Sequence, residues 1–219
     1  NQTTLATTAI IIIGTCTVIM AAILIAQTQS IQFKVGAYLT AYIGIILIGI
    51  GTLSQQSIGA VIFQLIQIPF IFGSIFLLLD KTHQSKAKPS TLLKGLILLQ
   101  CMILVGLPPS SLFWGQLILL TELIQLKQYI LMGVIITPSI AFLFTLHPSL
   151  PKKFWESSPK TKQTHIPWIS LSILSISLCI GLYPTPIIKL SQSIANTLQN
   201  TPSFANQTLY SQIPKHQTP

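Results

Sequence analysis

A bundle of about seven membrane-spanning helices, all-α throughout, is the fold that this sequence predicts, and three observations predict it. Only 7% of the 219 residues are charged and 50% are hydrophobic, where an ordinary soluble domain has about 25% charged residues. Residues 35–79 run for 45 positions without Asp, Glu, Lys or Arg, about twice the ~20 residues that one spanning helix needs. The polar residues gather into a few links and a tail, so lipid rather than water is the main solvent.

Seven apolar segments can be drawn, at about 5–26, 36–53, 57–79, 91–106, 111–126, 129–146 and 168–185. The first could be mistaken for a signal sequence, but no basic region precedes it and it is long enough to span. The links at 54–56 and 127–128 read as tight helical hairpins. Residues 80–90 form a polar loop, and 147–167 a longer one with Lys152, Lys153, Glu156, Lys160 and Lys162. Residues 1–189 are expected as the helix bundle and 190–219, rich in Ser, Thr, Asn, Gln and Pro, as a polar extended tail. Gly44, Gly49, Gly51, Gln64, Gln67, Gly73, Ser74 and Gln100 are small or polar, which lipid contact does not require and helix packing does.

The net charge is +9, with 12 lysines, no Arg, and Asp80, Glu122 and Glu156 as the acids. Such basicity in a soluble chain would point to nucleic acid. Here the lysines lie between apolar segments, where they meet headgroups and set orientation. With seven spans, Lys34, Lys81, Lys86, Lys88, Lys94, Lys127, Lys189 and Lys215 fall on one side and the four lysines of 147–167 on the other. The larger set is expected on the matrix or cytoplasmic side. The lack of Arg fits biased codon usage in an organellar genome.

The apolar pattern breaks at Gly106-Leu107-Pro108-Pro109-Ser110. Two prolines remove backbone donors, which a bilayer tolerates only where the freed carbonyls face protein or water. Broken helices recur where transporters handle ions. As one helix, residues 91–126 would run about 54 Å against a hydrocarbon core of about 30 Å. The break therefore reads as a sharp turn between two spans.

Five side chains are candidates for ion handling. Glu122 is the only acid well inside an apolar segment, where burial costs roughly 2.5 kcal/mol or more; the alternative is an anchor at the interface, close to Lys127. Gln116 lies beside the break, and its amide can bond a water chain but not titrate. Glu122 follows it by six residues, about 240° around a helix, so it does not replace that site. Gln64 and Gln67 share a helix face near Pro69, where helix–helix hydrogen bonding is the plainer reading. Lys34 stands at a helix start, where snorkelling is the common explanation. Trp155 and Trp168 fit membrane interfaces, and Trp114 sits beside the break. Cys16, Cys101 and Cys179 lie in separate segments and His83, His147, His165 and His216 in loops, at a helix end or in the tail, without metal-ligand spacing. No catalytic motif, phosphate loop or cofactor motif is present, so no cofactor is expected in this chain.

The break also carries a resemblance. Gly106-Leu107-Pro108-Pro109-Ser110, then Phe113 and Gly115-Gln116-Leu117, resembles a Leu-Pro-Pro/Gly … Phe-x-Gly-Glu-Leu/Phe passage of the antiporter-like membrane subunits of respiratory complex I, most of all chain 4 of NADH-ubiquinone oxidoreductase. Gln29, Lys34, Ala37 and Tyr38 resemble its Gln-Thr-Asp-Leu-Lys-x-x-x-Ala-Tyr-Ser-Ser passage, with one residue fewer and Leu39-Thr40 in place of Ser-Ser. Asp80-Lys81 resembles Tyr-Asp-Arg, and Gly181-Leu182-Tyr183-Pro184 resembles Gly-x-Tyr-Pro. Chain 2, with Phe-x-Pro-Lys in that place, is the rival; Gly115-Gln116 favours chain 4. The resemblance implies half of an antiporter-like bundle, the C-terminal half, in the mitochondrial inner membrane. It implies partners in the other membrane subunits of complex I, among them a chain carrying the N-terminal half, with proton translocation coupled to quinone reduction elsewhere. The rivals are a structural element without a proton path and a cation/proton antiporter subunit. The family's proton-route Glu is Gln116 here, and Gln64 stands near its intramembrane His.

Overall fold

The computed structural model describes residues 2–84, 91–108, 110–149 and 168–211. Pro109, the 85–90 part of the first polar loop, the 150–167 part of the second (with Trp155 and His165) and residues 212–219 (with Lys215 and His216) lie outside them. The described residues form eight helices and no strand: α1 Gln2–Gln27, α2 Ile31–Gly51, α3 Gln55–Gln84, α4 Thr91–Val105, α5 Ser111–Gln125, α6 Tyr129–Ser149, α7 Trp168–Leu182 and α8 Thr185–Ser211. By length and composition Thr4–Gln27, Ile31–Gly51, Gln55–Asp80 and Tyr129–Leu146 can each cross a membrane, and α7 with α8, bent by 78°, adds a fifth if counted as one span. The chain is thus a multi-pass membrane protein.

Two of these spans form the centre. About half of α2 and α3 is buried (56% and 50%), against 28% for α1 and 17% for α6. Small residues allow this packing. Gly14 of α1 and Gly44 of α2 meet so closely that a Cβ on either would lie 2.8 Å from the other's carbonyl oxygen. The tight links appear where expected: Leu53 (φ 51°) closes α2 and Lys127 (φ 57°) closes α5 in the left-handed conformation that ends many helices.

The course of α4 and α5 differs from the sharp turn expected of the sequence. Along α3, Gln100 of α4 donates to the Ile71 carbonyl (3.2 Å) and to the Ser74 hydroxyl. Gly115 of α5 lies against Phe63 and Gln64, nearer the start of α3. Along α2, Val105 meets Tyr38, Gln116 meets Tyr42 and Leu119 lies against Gly49. These contacts step one way along both neighbours, so α5 continues the direction of α4. The length argument applied to an unbroken helix. Two 15-residue helices of ~22 Å each, with a bend between them, suit a bilayer of ~40–45 Å including headgroups.

α7 runs beside this pair in the same direction. Ser170 donates to the Ser74 carbonyl (2.9 Å), Ser177 bonds Ser111 (3.0 Å), and Trp114 Nε1 donates to the Gly181 carbonyl (2.8 Å). A second correction concerns 190–211, which is helical rather than extended. Its apolar residues recur at helical spacing, with Ser191 and Ala195 buried, and Gln55 of α3 bonds Asn196. The packing against α3 outweighs the polar composition that argued for a tail.

Candidate functional site

The break is built from groups that satisfy one another. Gly106 has φ +82°, a left-handed conformation that glycine adopts without a Cβ penalty. Its amide donates to the Ile103 carbonyl (3.0 Å), and Leu107 N–H to Met102 (3.2 Å), closing the end of α4. Ser110 N–H donates to the Leu107 carbonyl (2.8 Å). The Ser110 hydroxyl then caps α5 by accepting from Phe113 N–H (3.3 Å). The prolines have taken donors away, and side chains from α2 come in.

Those side chains form a buried polar column on α2. Lys34, Tyr38 and Tyr42 recur every fourth residue, so they share one face, and all three are at most 1% exposed. Lys34 does not snorkel: Nζ donates to the Ile25 carbonyl (2.9 Å) in the last turn of α1, a usual role for lysine at a helix C-terminus. The Tyr38 hydroxyl bonds Ser139 (2.8 Å) and donates to the Val105 carbonyl (3.4 Å) at the edge of the break. Gln116 Nε2 reaches the Tyr42 hydroxyl (2.8 Å). The other end of the Gln116 amide lies against Gly106, where a Cβ would sit 2.5 Å from Oε1. Edge-on ring contacts of Tyr38 with Tyr42 (5.4 Å) and of Tyr42 with Phe72 (5.8 Å) hold the phenols in place.

Gln64 and Gln67 are fully buried on α3, and neither end of either amide has a hydrogen-bond partner. Buried amides left so are costly and call for water or a moving partner. Gly115 allows Gln64 to approach α5: a Cβ there would lie 2.6 Å from Gln64 Cγ. Gln116 is the next residue, so the glutamine pair borders the column. Glu122 is apart from both, two turns further along α5. It is 7% exposed, with one carboxylate oxygen buried and unpartnered, and its helix ends three residues later.

The structure thus brings Gln116 and Gly106 together, sets Gln64 against the adjoining Gly115, sets Lys34 on the α2 face that carries Tyr38 and Tyr42, and leaves Glu122 outside. Tyr42 and Ser139 were not singled out in the sequence, and Tyr38 only as part of the resemblance. The four-residue spacing from Lys34 to Tyr38 to Tyr42 was the available signal.

No family model matches the chain. NAD(P)H-quinone oxidoreductase chain 4 of Ipomoea purpurea chloroplasts is 24% identical over 212 aligned residues, covering 83% of this chain and 41% of that protein. The chloroplast chain 4 of Glycine max is also 24% identical, with 83% and 42% covered. The fold matches a chain of the Mrp complex from Dietzia sp. with a TM-score of 0.74, 16% identity, 90% of this chain and 48% of that one. It matches a chain of respiratory complex I from Thermus thermophilus with a TM-score of 0.73, 16% identity, and 89% and 45% coverage. The resemblance first read from the flanks of the break therefore holds, and the chain is a relative of NAD(P)H-quinone oxidoreductase chain 4 that spans about two fifths of the length of those curated proteins.

Proposed function

We infer that the chain is a membrane-arm subunit of an NADH-quinone oxidoreductase, where it contributes to proton translocation coupled to electron transfer from NADH to quinone. The observation that carries this reading is the buried column Lys34–Tyr38–Tyr42–Gln116 beside a helix break, with the unpartnered Gln64 and Gln67 at its border. Hydroxyls both donate and accept, and amides hold water in place by hydrogen bonds, so a row of water and hydroxyls passes a proton along the column. In this reading α4 and α5 are the two halves of one broken span. With α1, α2, α3, α6 and α7 it makes six spans, rather than the seven separate spans drawn from the sequence. Lys34, Lys81 and Lys94 then attach at the same end of the bundle, which is the matrix side or its equivalent. Redox chemistry belongs to other chains of the complex. The curated relatives are chloroplastic; for this chain we propose the mitochondrial inner membrane, which fractionation of both organelles with an antibody to the chain tests.

A second reading keeps the assembly and denies the path. Gln116 engages Tyr42 at one end and Gly106 at the other, which is how a clamp across a break would look, and an amide does not ionise. Proton pumping per NADH oxidised, measured in inverted membrane vesicles, separates the two. If the column conducts, Tyr42→Phe lowers the proton yield severalfold; Glu122→Gln lowers it as well only where the path runs on past the column to the end of α5. Unchanged yield in both variants, with the complex assembled, leaves the clamp reading.

A further inference from the structure

On the outer surface, where α1 ends and α2 begins, a groove of about 500 Å³ opens between α1, α2 and α3. Its polar groups lie at one end. Thr28 and Gln32 stand at the mouth, next to the link 28–30 that joins the two helices. Phe33 stands beside Gln32, and deeper Leu24, Gly36, Ala37 and Phe76 form apolar walls. Thr40 at the floor is no exception, because its hydroxyl is spent on the Gly36 carbonyl (3.2 Å). From Gln32 to Thr40 the groove follows α2 for about 12 Å, from the level of the helix ends into the apolar layer. Gly36 keeps it open, since a Cβ there would meet nothing within 4 Å. Phe33 is 72% exposed and forms an outer wall that a closed helix contact would have covered.

We propose that this groove holds one acyl chain of a phospholipid, with the phosphate at the level of Thr28 and Gln32. The polarity gradient matches an amphiphile lying along the membrane normal. A partner helix would present apolar side chains to the mouth as well as to the floor. Filling the volume with hydrocarbon removes the walls from contact with disordered lipid, and the hydroxyl and amide at the mouth supply hydrogen bonds for phosphate oxygens.

The test uses the assembled complex in vesicles of phosphatidylcholine and phosphatidylglycerol with a photoreactive diazirine in the acyl chain. Illumination is expected to label residues 24–40 of this chain. Gly36→Leu fills the groove without a clash and lowers that label at least tenfold. Gly133→Leu, at an equally open position on α6, leaves it unchanged. Equal labelling in Gly36→Leu overturns the proposal. So does cross-linking of this segment to another protein chain, which identifies a helix as the occupant, or displacement of the label by a long-chain quinone.

Discussion

The chain departs from straight helix at two places that solve the same problem in opposite ways. Between α4 and α5 the direction is kept and the freed backbone groups are enclosed. Between α7 and α8 the chain turns by 78°, and Leu182 and Tyr183 are more than 70% exposed there. An exposed bend at a membrane edge can leave its carbonyls to water and headgroups. An enclosed break cannot, so donors come from Tyr38 and the amides of the break itself. The interior break therefore brings polar side chains into the apolar layer, where they can serve a second purpose, and the peripheral bend does not. Trp168 and Tyr183, both exposed, mark the two ends of α7 about 22 Å apart. The peripheral bend thus lies at an interface.

The largest expected effect sharpens this contrast at Gly106. Gly106→Val puts a branched side chain on a φ of +82° and drives its Cβ into Gln116 Oε1. Backbone strain and overpacking together cost about 2–4 kcal/mol, seen as a lower midpoint of thermal unfolding of the solubilised complex and as poorer assembly. A double-mutant cycle separates the two costs: Gly106→Ala with Gln116→Ala recovers the steric part and leaves the strain. Additive effects would mean that the glycine serves the backbone alone.

Next in size is Gly115→Leu. The new side chain meets Gln64 Cγ at 2.6 Å and Phe63 at 3.1 Å before its second carbon is placed, so α3 and α5 must separate, at about 1–3 kcal/mol. Gly73→Leu, with nothing within 4 Å of its Cβ, is expected to change stability by less than about 0.5 kcal/mol. Equal effects at the two glycines would break the distinction between a tight helix contact and an open one.

Much of this was legible in sequence because it depends on local chemistry. The prolines and Gly106 announce the break, the three-residue spacing of Gln64 and Gln67 puts them on one face, and the short links at 54–56 and 127–128 announce turns. What sequence did not disclose was direction. Whether α5 reverses or continues α4 depends on where Gln100, Gly115 and Leu119 meet their neighbours, and these contacts span 26 to 70 positions of sequence. Composition misled at 190–211 for a related reason. A polar helix is stabilised there by the surface of α3, which the segment's own residues do not encode. Lys34 shows the reverse case. Its position at a helix start was legible, but the inward turn of its amine toward Ile25 was set by α1.

The smallest expected effect bears on the peripheral bend. Trp114 Nε1 holds the Gly181 carbonyl just before the chain turns, and with the Ser111–Ser177 bond it ties the α5 side of the break to α7. Trp114→Phe keeps the ring contact with Phe113 (5.6 Å) and removes the donor. The lost bond is worth about 0.5–1.5 kcal/mol. At a sealed site the orphaned carbonyl would add its own desolvation cost; at an edge, water replaces the indole. A thermal shift at the low end of that range, with α8 still protected from hydrogen exchange, places this end of α7 at the interface. A loss well above 1.5 kcal/mol would mean that Gly181 is as enclosed as Val105, and the difference between the two departures from helix would disappear.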